Sequence, residues 1–321
     1  MPTVRFEQHC LERHQDQSIL DTLLGAGVAV PNSCRAGVCG SCLMRAVEGD
    51  LPPQAQAGLK DSWRARGYFL ACACKPEGDL TVASVGDEAR VPSAIAALER
   101  LSGDVMRVRV QRPEGFEYRA GQYVTLIRHD GLARSYSIAS LPAESELELH
   151  VRRIANGRMS GWLFEGAQPG ERVDLLGPSG ECFYVAGNLE QPLLLIGAGT
   201  GLAPLYGILR DALEQGHRGP IHLFHGATRP EGLYLRDELQ RLAMQNTNLD
   251  YTASVLAADG EAGVVVGPID QTVLTRFPKL QGFRAYVCGD PALVQSLKKR
   301  LFLGGVALRD IHADPFLPSS D

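Results

Sequence analysis

Residues 31–42 read PNSCRAGVCGSC and place Cys34, Cys39 and Cys42 in the spacing C-x4-C-x2-C. A fourth thiol, Cys72, follows in GYFLACACKP, with Cys74 only two positions beyond it. Three thiolates on one short loop plus one from a distant segment is an arrangement that holds a 2Fe-2S cluster. The small residues Ala36, Gly37, Gly40 and Ser41 let the backbone curl around such a cluster and aim N–H groups at its sulfurs, which helps to set its potential. A structural zinc site is the rival reading, but zinc favours paired C-x2-C knuckles and only Cys39 and Cys42 make one. Cys72 and Cys74 compete for the fourth place. The leftover thiols, Cys10 and Cys182 among them, read as small buried hydrophobes.

The whole chain, 321 residues with 45% hydrophobic content, suits two or three globular domains. Eight cysteines behind a start, MPTVRFEQHC, that lacks the pattern of a secretory leader point to a reducing compartment, where thiolates serve metals and not a disulfide framework. The longest apolar run, PLLLIGAGTGLAPL, is broken by glycine and proline, so no membrane span is expected and a cytoplasmic location is. A formal charge of −5 without a Lys/Arg cluster argues against nucleic-acid binding.

Three architectures follow one another. Residues 1–90 read as strand, helix over about 18–26, cysteine loop and short strands, which predicts a small mixed-sheet α+β domain. The charged and then alanine-rich DEARVPSAIAALER that follows reads as a linker, set at 91–102, or equally as a short helix packed on either neighbour. Over 103–188 the segments DVMRVRVQR, QYVTLIR, RSYSIAS, ELELHVRR and ERVDLLG alternate apolar and polar residues between turns, as an antiparallel β-barrel requires. Over 189–321 strands such as LLLIGA alternate with helices such as LAPLYGILRDALEQ, which predicts a doubly wound parallel sheet with ligands at the carboxyl ends of its strands.

The motifs fall on these elements. Arg134-Ser135-Tyr136-Ser137 lies on a barrel strand; Gly157-Arg158-Met159-Ser160 opens a helix, where free N–H groups suit an anion. Gly197-Ala198-Gly199-Thr200-Gly201-Leu202-Ala203-Pro204 follows the strand LLLI directly, a G-x-G-x-G form that departs from the G-x-G-x-x-G dinucleotide fingerprint. Cys288-Gly289-Asp290-Pro291 follows the strand FRAYV, and Asp314-Pro315-Phe316 stands near the end.

Residues 1–90 resemble the plant-type ferredoxin family, a β-grasp fold, and in that comparison Cys72 takes the fourth ligand place beside Cys34, Cys39 and Cys42. Residues 103–321 resemble the ferredoxin-NADP reductase family, with its R-x-Y-S signature and its G-x-G-x-G/A-x-x-P loop. The resemblance implies an FAD domain in which Arg134 pairs with the flavin pyrophosphate, a task for a planar guanidinium. Ser135 belongs to the same signature, Tyr136 packs on the isoalloxazine, and Ser137 sits near flavin N5. Gly157 and Ser160 lie under the pyrophosphate. Gly197, Gly199, Thr200, Gly201, Pro204 and Gly289 are implied to hold the pyridine nucleotide, and Cys288 to lie beside nicotinamide C4. Asp314 and Phe316 stand where relatives carry an acid and an aromatic facing the flavin. The choice of nucleotide is weakly encoded, since Arg229 suits a 2′-phosphate and Glu231 a bare ribose; NADH is the expectation, by resemblance.

Together the three parts resemble the reductase component of bacterial multicomponent oxygenases. Nicotinamide gives two electrons as a hydride and a 2Fe-2S cluster takes one, so a flavin between them is chemically required. No Rieske ligand pattern and no paired E-x-x-H is present, so the substrate chemistry belongs to a partner. The expected partner is a Rieske dioxygenase or a di-iron monooxygenase. The alternatives are a sugar-nucleotide deoxygenation enzyme as acceptor, or a redox sensor without turnover.

Overall fold

The computed structural model describes residues 2–14, 16–32, 34–59, 61–85, 90–257 and 263–317. Its first sheet is built from β1 (Thr3–Phe6), β2 (His9–Glu12), β3 (Leu43–Glu48), β4 (Tyr68–Leu70) and β5 (Leu80–Ser84), in the order β2-β1-β5-β3-β4. Only the β1/β5 pair is parallel. Helix α1 (Ile19–Gly25) starts at a capping box, in which Ser18 and Asp21 satisfy each other's backbone N–H. Its Ile19, Leu20 and Leu23 are fully buried on this sheet. The Ile19 N–H also donates to the Cys74 carbonyl, which ties α1 to the segment carrying Cys72. The short α2 (Asp61–Ala65) precedes β4.

The second sheet consists of β6 (Val91–Arg100), β7 (Val105–Gln111), β8 (Tyr123–Ile127), β9 (Ala133–Ser137), β10 (Glu146–Arg152) and β11 (Arg172–Ser179), all antiparallel in the order β10-β7-β6-β11-β8-β9. A bridge between Ile138 and Leu149 joins its two ends, so the sheet closes into a barrel. Residues 91–102 were expected as a linker, but most of them are strand β6. It pairs with β11 through residues 91–94 and with β7 from Ile95 onward, across an irregularity between Ile95 and Ala97. Alanine is a poor strand former, and pairing on both edges overrides that preference. The charged residues 87–89 before it lie outside the described residues. Helix α3 (Arg158–Glu165) crosses the barrel and buries Met159, Leu163 and Phe164.

The third sheet is wholly parallel, in the order β15-β14-β13-β12-β16-β17: β12 (Leu193–Ala198), β13 (Ile221–Ala227), β14 (Leu249–Val255), β15 (Val265–Val266), β16 (Arg284–Gly289) and β17 (Ile311–Pro315). Helices α4 (Leu202–Glu214), α5 (Arg236–Gln245), α6 (Ile269–Arg276) and α7 (Pro291–Leu303) connect its strands. The order reverses between β12 and β16, so a crevice opens at their carboxyl ends.

Two shared cores join the modules. Ile127, Ala133 and Leu176 of the barrel belong to the core of the first domain, and Val105, Ala139, Cys182 and Tyr184 to the core around α4. At the crevice Gly201 comes so close to β16 that a Cβ there would stand 2.3 Å from the Cys288 carbonyl oxygen. Its φ of −58° suits any residue, so contact alone demands glycine here. Gly201→Ala should therefore push the loop off β16 and destabilise the protein by about 1–3 kcal/mol, read as a lowered melting temperature.

Candidate functional site

The four thiols of the cysteine motif sort into two pairs. Cys34 bonds Cys39 and Cys42 bonds Cys72 through their side chains. Within each pair the bond favours the thiolate on one partner and the thiol on the other: Cys34 is drawn down by its bond to Cys39, while Cys39 is pushed up by the same bond and by burial. Cys72 is likewise lowered by its bond to Cys42, and Cys42 raised. Backbone donors surround the sulfurs. Ala36 and Cys39 N–H groups reach Cys34 Sγ at 3.4 Å, Gly37 N–H reaches Cys72 Sγ at 3.3 Å, and Cys72 N–H reaches Cys42 Sγ at 3.5 Å. The Ser41 hydroxyl lies 3.1 Å from Cys39 Sγ.

Among the described residues no group of three or more His, Cys, Asp or Glu side chains could hold a single metal ion. Two pairs of thiols suit a different object, a cluster of two irons with two protein ligands on each, so the donor set fits a 2Fe-2S centre better than a zinc knuckle. Cys74 is buried, its carbonyl tied to the start of α1, and desolvation pushes its thiol up to about 12. Cys182 is also buried, whereas Cys10 on β2 is exposed, contrary to the expectation of a buried thiol.

A cleft of about 1440 Å³ opens where the three modules meet. Typical small-ligand sites measure roughly 300–1,000 Å³, so this one has room for more than a single small molecule. On its barrel side stand Arg134, Ser135, Tyr136 and Ser137 of β9, and the start of α3 from Gly157 to Ser160. Gly157 caps α3 without any side-chain bond. The Ser160 hydroxyl is engaged inside the turn: it accepts from Ile154 N–H at 3.1 Å and donates to the Gly157 carbonyl at 3.3 Å. It shapes the helix start, whose backbone donors and positive dipole end fit a diphosphate. Tyr136 packs partly on the barrel core while lining the cleft.

On the other side stand Gly199, Thr200, Gly289, Asp314 and Phe316. Gly199 has φ +54°, a left-handed conformation that glycine adopts without strain. Gly197 and Gly201 set the close approach of β12, β16 and α4, and Pro204 is buried in the first turn of α4. The Ser137 hydroxyl donates to Asp314 Oδ2 at 2.6 Å, joining β9 to β17. Burial lifts the Asp314 carboxyl from 3.8 to about 6, against the pull of that hydrogen bond.

The Cys288 thiol is fully buried in the core between the sheet and α4, 3.7 Å from Cys182 Sγ, and Asp314 of the cleft wall is its neighbour across the β16/β17 ladder. Strand alternation gives the reason for the burial, since one side of β16 packs against α4 and Cys288 points there.

Several cleft residues carried no signal in the sequence. Arg152 lies across from Gly199, and His150 is buried beneath the cleft with Nε2 2.8 Å from Glu148 Oε1 and Nδ1 3.1 Å from the Tyr234 hydroxyl. Burial tends to raise the Glu148 carboxyl, but His150, Arg107 and Arg210 outweigh it and hold it at about 2. A carboxylate only accepts, so Nε2 carries the proton, and the neutral ring accepts from Tyr234. Arg107 extends the network to Glu99 at 2.8 Å and Glu238 of α5 at 3.7 Å, which fastens the third domain to the barrel. From the first domain, Cys34, Val38 and Cys39 form a third wall of the cleft.

The chain's segments match three domain families in turn: 2Fe-2S iron-sulfur cluster binding domain over residues 4–77, oxidoreductase FAD-binding domain over 92–184 and oxidoreductase NAD-binding domain over 195–299. That succession defines an iron-sulfur flavoprotein oxidoreductase that uses a pyridine nucleotide. A ferredoxin–NAD(P)+ reductase component of a naphthalene 1,2-dioxygenase system from Pseudomonas putida is 33% identical over 94% of both chains. The reductase of a CDP-6-deoxy-L-threo-D-glycero-4-hexulose-3-dehydrase from Yersinia pestis is 28% identical over 94% of both. A cytochrome P450 reductase structure from Amycolatopsis superposes over all of both chains with a TM-score of 0.72 at 29% identity. The chain belongs to the ferredoxin–NAD(P)+ reductase family in which these three modules are fused. No helix of the described residues is long and apolar enough to cross a membrane.

Two predictions follow from this geometry. Cys74→Ser should leave the visible spectrum of the cluster unchanged, while Cys72→Ser should abolish it. For Asp314, a folded pKa above the ordinary value means that the folded state keeps the proton longer, so its contribution to stability declines as pH rises from about 4 to about 6 and is flat above. Asp314→Asn should therefore melt close to the wild type at pH 4 and a few degrees higher at pH 7.

Proposed function

We propose that this protein is the reductase component of an oxygenase system in the cytoplasm, oxidising NADH and delivering electrons singly to a terminal oxygenase. The observation that carries this reading is the meeting of three features in one cleft: the R-x-Y-S strand, the glycine loop of the parallel sheet and the cysteine loop. FAD bound there would supply the conversion of a hydride into single electrons, and a 2Fe-2S cluster on the four thiols would supply a one-electron carrier beside it.

The chain's own residues prepare that chemistry. Arg134 and the start of α3 bind the flavin diphosphate, while Tyr136 and Ser135 orient the ring system from β9. Ser137 holds a proton on its Oγ near flavin N5, with Asp314 as its acceptor. Thr200 on the glycine loop and Gly289 position the nicotinamide. Phe316, held by its N–H donating to the Gly289 carbonyl at 2.8 Å, covers the ring edge against water. Cys288 supports this loop from the core. Cys34, Cys39, Cys42 and Cys72 hold the cluster. Arg229 and Glu231 both line the cleft, so the ribose end meets a mixed charge. The Yersinia pestis relative favours a second reading of the acceptor, an enzyme that deoxygenates a nucleotide-linked sugar.

An anaerobic titration of the holoprotein, with NADH and separately with NADPH, tests the reading. NADH should bleach the flavin band and raise the EPR signal of a reduced 2Fe-2S centre, with NADPH the poorer donor. Reduction of the cluster by dithionite but by neither nucleotide would overturn it in favour of a sensor.

A further inference from the structure

The cysteine loop does not merely lie near the flavin-binding strand; it is fastened to it. Tyr123 and Thr125 alternate along β8, so their side chains leave the same face. The Tyr123 hydroxyl donates to the Val38 carbonyl at 2.6 Å and the Thr125 hydroxyl to the Cys39 carbonyl at 3.1 Å. In register across the hairpin, Tyr123 faces Ser137 and Thr125 faces Ser135, and the Thr125 and Ser135 hydroxyls are 2.9 Å apart. A continuous chain of polar contacts therefore runs from the R-x-Y-S strand through Thr125 to a cysteine of the cluster loop. Thr125 is 1% exposed and is not part of the cleft wall, so its hydroxyl is engaged inside the protein, by Ser135 on one side and the Cys39 carbonyl on the other.

We propose that Thr125 and Tyr123 are positioning residues for internal electron transfer: they clamp the loop by two consecutive backbone carbonyls, so that Cys39 is the point at which electrons enter the cluster. The inference rests on the function proposed above and adds to it the contact that sets the distance. Electron transfer falls steeply with separation, and the clamp holds that separation from the flavin side. Carbonyl acceptors suit the purpose, because they fix the loop while its N–H groups stay aimed at the sulfurs.

The test uses FAD- and cluster-loaded Thr125→Val, with Thr125→Ser as the conservative control. Three rates are compared with the wild type: flavin bleaching by NADH, reduction of ferricyanide taken from the flavin, and reduction of cytochrome c through the cluster. A fourth measurement is hydrogen–deuterium exchange of the amides of residues 34–42. Thr125→Val is expected to keep the first two rates and to lose about tenfold in the third. The dithionite-reduced EPR signal should be unchanged and exchange in the loop faster, and Thr125→Ser should restore both the rate and the protection. Unchanged cytochrome c reduction with unchanged exchange overturns the proposal, as does an equal loss of ferricyanide and cytochrome c reduction, which would put the hydroxyl's effect on the flavin site. Failure of the wild type to pass electrons from NADH to the cluster would bring down the proposed function instead, and loop exchange in the variant would still decide the clamp.

Discussion

Everything in this molecule leans on the pairing of β8 with β9. An antiparallel pair presents alternate residues to opposite sides, and here both sides are used. Val124 and Leu126 of β8 are fully buried in the barrel core, which gives the hairpin its rigidity. Tyr123 and Thr125 turn the other way, to the loop that carries the cluster ligands, while β9 supplies the flavin signature. A slip of one residue in this register would invert all of these assignments at once. The same hairpin also contributes Ile127 and Ala133 to the first domain's core, so the interface is apolar at one end of the strands and hydrogen-bonded at the other.

The opposite side of the cleft is fixed by different means. Ionised and hydrogen-bonded groups, Arg107, Glu148, His150, Tyr234 and Glu238, span from the barrel to the third domain, while the apolar core around α4 takes in Cys182 and Tyr184. A charged network of this kind adds little to stability once desolvation is counted, but it is directional, and its loss on one side leaves a buried charge without a partner. It therefore determines how the domains face each other more than how tightly they hold. The Ser137–Asp314 bond performs the same service at the mouth of the cleft.

Much of this was legible in the chain because it is local. The cysteine spacing, the helix from about residue 18, the alternation in β7 to β11 and the glycine loop after β12 each depend on residues within one turn or one strand. What escaped depends on distant partners. The alanine-rich β6 is a strand only because β7 and β11 flank it. The placement of the cluster loop is decided by hydroxyls 85 and 86 positions away, bonded to carbonyls that every residue possesses, so no side-chain pattern announces it. Cys288 shows the converse: its motif was plain, yet the direction of its side chain follows from how β16 packs on α4, and the thiol meets Cys182, 106 positions distant.

The two cysteine pairs stand in unlike surroundings. Cys34 and Cys39 belong to the cleft wall, whereas Cys42 and Cys72 do not. Near Cys72 the loop packs closely: Gly37 N–H donates to Cys72 Sγ at 3.3 Å, and a Cβ added at Gly37 would lie 3.5 Å from that of Ala73. The first pair thus faces the flavin module, and the second is held in the first domain, with Cys42 nearly sealed from solvent. One pair of ligands would therefore look into the flavin cleft while the other is lodged against the first domain's own apolar core, so the two halves of the centre meet surroundings of unlike polarity.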